Sequence, residues 1–161
     1  MGTDVYLEWN GKTKEDTEKQ RTGFSIDAGG AGYLRASIGM VRENTFLRAL
    51  FPQKYWNNKT GKPMRYGFTE DKYKILIKAG VVYVISVLTG QEVEASAARK
   101  QAAVGERIFE ILKDRGIGEV MKSENLDFRH AMMWINSVWS FFELGMEKEN
   151  SGLEPGIYIS W

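Results

Sequence analysis

The residues best equipped for chemistry are a run of glycines and a series of arginines in the first third of the chain. Gly29, Gly30 and Gly32 lie in Gly-Gly-Ala-Gly, with Asp27 just before the run and Tyr33 and Arg35 just after it. Backbone amides in such a run can point at a phosphate or carboxylate, and arginine offers a permanently charged, planar fork of donors to the same groups. Arg42 and Arg48 follow, and Tyr55 and Trp56 supply flat rings on which an aromatic ligand, or a guanidinium, can stack. Together Asp27, Gly29, Gly30, Gly32, Tyr33, Arg35, Arg42, Arg48, Tyr55 and Trp56 form the candidate binding site, suited to an anionic, nucleotide-like small molecule. The plainer reading makes the glycines a hairpin turn and leaves the arginines solvated on a helix face.

Catalytic patterns are sparse. The glycine spacing matches neither a dinucleotide fingerprint nor a phosphate-binding loop of the Walker type. His130 is the only histidine and there is no cysteine, which rules out a two-histidine metal site, a thiolate zinc site, disulfides and a cysteine nucleophile. No metal or cofactor is called for, and the protein reads as a binder that senses or sequesters its ligand. An enzyme would have to use Asp27 and His130 for acid–base work.

The net charge of +1 conceals an uneven distribution. From Gly29 to Phe68 seven basic residues meet a single acid, Glu43, so this third carries an excess of six positive charges and the remainder a net of minus five. The same basic third could follow a nucleic-acid backbone, in which case affinity would fall steeply with salt. A structural or oligomeric interaction protein is the remaining alternative.

The elements that must hold these residues follow from periodicity. Val5, Leu7 and Trp9 alternate with Asp4, Tyr6 and Glu8, predicting a first strand. Asn10 to Thr22 is polar throughout and reads as a mobile surface loop. Phe24, Ile26 and Ala28 alternate, as do Leu34, Ala36 and Ile38, so the glycines between them predict a β-hairpin. Helical spacing appears over Met40 to Phe51, where Pro52 ends it, over Thr69 to Leu88, from a capping box at Thr89-Gly-Gln-Glu92 to a glycine stop at Gly116, and from about Asn125 to Leu144. Gln53 to Phe68 reads as an irregular loop rich in aromatics. Ile157, Ile159 and Trp161 close the chain as a last strand.

The expected architecture is α+β: a small, mostly antiparallel four-stranded sheet with about four helices on one face, in the order β-β-β-α-α-α-α-β. At 161 residues, 1–161 reads as a single globular domain. The start of the chain lacks a signal-peptide pattern and Ile75 to Leu88 is too short to span a bilayer, so a cytoplasmic protein without a membrane partner is expected. The apolar helix Met132 to Phe142 would suit a homo-oligomer contact, or simply core.

Overall fold

A computed structural model describes residues 2–22, 28–37, 39, 41–89, 98–114, 118, 120 and 122–161, with backbone alone at 41, 89 and 98–104. The strand expected over Phe24 to Ala28 falls mostly outside these residues, as do Asp27, most of the capping box after Thr89 and the stop at Gly116. In chain order the elements are β1 (Gly2–Glu8), α1 (Lys14–Arg21), a 3-10 turn (Gly29–Ala31), β2 (Tyr33–Ser37), α2 (Val41–Leu50), α3 (Gln53–Trp56), β3 (Met64–Arg65), α4 (Glu70–Thr89), α5 (Ala98–Asp114), α6 (Leu126–Asn150) and β4 (Gly156–Ser160). The fold is α+β with a four-stranded antiparallel sheet, as the periodicities imply, in the strand order β2-β1-β4-β3.

The chain gathers into two compact units, one of Met1–Tyr73 with Ser137–Trp161 and one of Lys74–Asn136. In the first, alternation along β1 buries Val5 and Leu7 completely, and the register sets Val5 between Leu34 and Ile159 and Leu7 beside Ile157, all buried. Five aliphatic strand positions thus share one face, as a half-buried sheet requires. In the second unit, Gly80 of α4 lets Ile135 of α6 approach closely, since a Cβ there would lie 3.1 Å from Ile135 Cγ2. Leu76, Val84, Ile108, Leu112 and Met132 are buried in that unit's part of the chain.

Four expectations are corrected, and a fifth, the glycine hairpin, lies mostly outside the described residues. Asn10 to Thr22 is no loop: Thr13 caps α1, its hydroxyl accepting from the Asp16 amide while the Asp16 carboxylate accepts from the Thr13 amide. The helix forms without an apolar stripe because its one buried residue, Gln20, donates to the backbone carbonyls of Leu7 at 2.9 Å and Gly32 at 3.2 Å. The aromatic loop Gln53 to Phe68 contains α3 and β3, and its rings are core: Tyr66 lies 5.3 Å from Phe51 and 4.7 Å from Phe68, which in turn lies 5.0 Å from Phe142. Gly29–Ala31 form a 3-10 turn that leads into β2, and β2 pairs with β1; the other strand of the expected hairpin lies mostly outside the described residues. The last helix continues to Asn150, past the expected end at Leu144. Trp9 and Trp161 leave the core: the ammonium groups of Lys12 and Lys148 lie 5.5 and 4.8 Å from the Trp9 ring, and Trp161 is 71% exposed.

Candidate functional site

The half of the alternation that faces away from the core carries the chemistry. Because side chains alternate and the register is fixed, Tyr33, Tyr6 and Tyr158 stand in one cross-strand row on β2, β1 and β4. The next row along the strands is Arg35, Asp4 and Ser160, and on the other side lie Glu8, Gly156 and Arg65. Each flanking row is about 7 Å from the tyrosines, at about 3.4 Å per residue.

The tyrosines differ in their availability. Tyr33 is buried and its hydroxyl donates to Asp4 at 2.7 Å, while its ring meets that of Tyr6 at 5.2 Å. Tyr6 and Tyr158 are half-buried, with centroids 6.4 Å apart and planes inclined by 29°, and so keep ring surface for a planar ligand. Burial raises the Tyr33 hydroxyl well above the usual tyrosine range, helped by its hydrogen bond to the Asp4 carboxylate; burial, and next the nearby Asp4 charge, raise Tyr6 too. Both phenols stay neutral near pH 7. Arg35 lies against Asp4, with Nε 3.6 Å from Oδ1, which puts its positive charge on the row beside the tyrosines.

Beyond the tyrosines, a cavity of about 360 Å³ opens over Gly156, walled by Glu8, Arg65, Trp9, Asn10 and Glu154. Arg65 donates to both oxygens of Glu149 at 3.1 and 2.9 Å and to the Pro155 carbonyl at 3.0 Å, and the first of these partners holds it more firmly protonated than usual. Lys12 takes one oxygen of Glu8 at 2.8 Å. Glu154 has φ +49°, a left-handed conformation rare outside glycine, and accepts from Asn10 Nδ2 at 3.2 Å.

The residues expected in the site are divided by the structure. Gly29 is buried against α6, where an added Cβ would overlap the Ser137 carbonyl, whereas Gly30 is exposed with open space about it. Gly32, at φ +77°, passes its carbonyl to Leu7 N, and the amides of Ala31, Gly32 and Tyr33 are all taken by Ala28 and Gly29 carbonyls, so this turn holds its own donors. Arg42 is exposed on α2. Arg48 does meet an aromatic ring, but a core one: its guanidinium lies 4.2 Å from Trp56 and 5.8 Å from Trp161. Tyr55 and Trp56 are buried, donating to the carbonyls of Arg65 at 2.7 Å and Phe51 at 3.0 Å. Of the expected set, only Tyr33 and Arg35 among the described residues fall on the outer sheet face. Tyr6, Tyr158, Glu8 and Arg65 were missed, although the alternation that buries Val5 and Ile157 also assigns Tyr6 and Tyr158 to the opposite side.

His130 is exposed on α6, and no group of three metal-ligating side chains occurs among the described residues. Met132, Val138, Phe141 and Phe142 are fully buried within the chain. Among the described residues no helix is long and apolar enough to cross a membrane. Compared with protein-family models, curated proteins and solved structures, the chain matches none.

Proposed function

We propose that the protein binds a nucleotide-like small molecule on the outer face of its sheet, sensing or sequestering it without chemical change. The observation that carries this reading is the cross-strand row Tyr33–Tyr6–Tyr158. Two half-buried rings offer a stacking surface, and Arg35, one row away, is within reach of a phosphate attached to a ligand lying on them. The site thus moves from the glycine turn and the aromatic loop to the sheet, while the ligand class stays the same.

Calorimetric titration with AMP, GMP, CMP and UMP, against ribose 5-phosphate and inorganic phosphate, tests it. The nucleotides should bind and the two base-free phosphates should not. Stacking contributes about 1–3 kcal/mol per base, so Tyr6→Ala or Tyr158→Ala should weaken binding by roughly five- to a hundredfold. Binding of ribose 5-phosphate as tight as that of a nucleotide, or indifference to both substitutions, would overturn the reading.

A second reading, single-stranded nucleic acid, is favoured by the length of the row, which spans three strands or about 10 Å and suits successive bases. Asp4, Glu8 and Glu154 on the same face oppose a long polyanion. A steep loss of oligonucleotide affinity with salt would support it, and mononucleotide affinity equal to that of an oligomer would exclude it.

A further inference from the structure

The outer face has a specific end, and this inference rests on the nucleotide reading above. Gly156 stands between Glu8 and Arg65 in the sheet, and no larger residue fits there, because a Cβ would sit 2.6 Å from the Met64 carbonyl oxygen. The missing side chain is the floor of the cavity, and two strand spacings place the Cα atoms of Glu8 and Arg65 about 10 Å apart on either side of it. A volume of about 360 Å³ falls in the range of small-ligand pockets, about 300–1,000 Å³.

The walls offer a particular set of partners. Arg65 has five N–H donors, of which Glu149 and Pro155 engage three, leaving donors for an acceptor in the cavity. Lys12 takes only one oxygen of Glu8, and Glu154 receives a single bond from Asn10. The charges of Arg65 and Glu8 are already answered by Glu149 and Lys12, while Glu154 adds a further negative charge. The cavity therefore disfavours a phosphate and favours a neutral edge that presents adjacent N–H donors beside a carbonyl. Of the common nucleobases guanine alone has this edge, with O6 next to N1–H and the 2-amino group.

We propose that the cavity over Gly156 selects guanine, Arg65 donating to O6 and the carboxylates of Glu8 and Glu154 accepting from N1–H and the 2-amino group, while the ring lies on Tyr158 and Tyr6. The phosphate then extends the other way, toward Arg35, since the two rows lie on opposite sides of the tyrosines.

IMP keeps O6 and N1–H but lacks the 2-amino group, so it isolates the proposed contact. Calorimetry should find GMP bound at least tenfold more tightly than IMP or AMP, and the GMP to IMP ratio should fall severalfold in whichever of Glu154→Gln and Glu8→Gln replaces the charged acceptor of the 2-amino group by a neutral one. Glu154→Gln keeps the side-chain shape, so it remains informative if Glu8→Gln disturbs Lys12; urea midpoints verify both. Equal binding of GMP and IMP, or a preference that survives both substitutions, overturns the selection. If all nucleotides bind alike and Tyr158→Ala weakens them all, the stacking reading stands without the selectivity. If none binds, both fail.

Discussion

Gly29→Ala separates a structural role of the glycine run from a ligand-binding one. A Cβ on Gly29 would overlap the Ser137 carbonyl and lie 2.8 Å from Ser137 Cα, and all three nearest atoms belong to the backbone of α6. Backbone cannot step aside as a flexible side chain can, so either the 3-10 turn or the helix must move. Overpacking in a well-filled site costs about 1–3 kcal/mol, and the rigidity of these partners places this case at the upper end, about 3 kcal/mol. That is a large part of a typical stability of about 5–15 kcal/mol. For a chain of this size it should lower Tm by about 6–12 °C, at about 2–4 °C per kcal/mol. Gly30→Ala, one residue away, meets nothing within 4 Å and has no positive φ, so it should leave stability within about 1 kcal/mol and on the favourable side. Urea unfolding of the two variants side by side provides the measurement. A Gly29→Ala protein as stable as the unaltered one would refute the packing argument, and a Gly30→Ala protein equally damaged would show that the turn is constrained by something other than α6.

Two further outcomes are expected. Burial pushes the Tyr66 hydroxyl up to about 12, and Tyr33 and Tyr6 are raised in the same direction, so the unfolded chain loses these protons first. Stability should be at its full value below about pH 10 and fall as pH rises from there toward 12, less steeply in Tyr66→Phe; urea midpoints that stay constant to about pH 11.5 would contradict this. Deleting residues 157–161 removes the strand between β1 and β3, with two isoleucines that each contribute roughly 1.5–3 kcal/mol, and should abolish cooperative unfolding of the sheet unit, whereas Trp161→Ala, at a residue 71% exposed, should cost about 1 kcal/mol. A calorimetric scan of both variants checks the contrast.

What the sequence made legible was whatever depends on period. Val5 and Leu7, Leu34 and Ala36, and Ile157 and Ile159 alternate because one sheet face is buried, and each is found there. Helices α2, α4, α5 and α6 announced themselves by apolar spacing. Helix α1 could not, since it buries only Gln20 and that residue makes polar contacts; its single signal was Thr13 with Asp16 three positions on, a capping pair of the kind sought only at Thr89. Trp9 continues the alternation in sequence but lies beyond the last paired residue, Glu8, where two ammonium groups compete successfully for its ring.

The site was harder to read because residue type alone misassigns both glycine and aromatic residues. A glycine run looks like an anion cradle until its amides are counted, and here a 3-10 turn spends those of Ala31 and Gly32, and that of Tyr33 after them, locally. Aromatics between a proline and a glycine look free to stack on a ligand, yet Tyr66 and Phe68 pack on Phe141 and Phe142 across a long loop closure that no local pattern encodes. Tyr6 and Tyr158 were hidden for the opposite reason: they lie in regular strands, where attention goes to the buried partners on either side. In a sheet covered on one face, the same period of two that defines the core also defines a surface, and residues far apart in the chain, such as Tyr6 and Tyr158, become neighbours on it through the register alone. Any binding role for this sheet therefore depends on the pairing of β1 with β4, and a substitution that slips that register would remove the tyrosine row and the Gly156 cavity together.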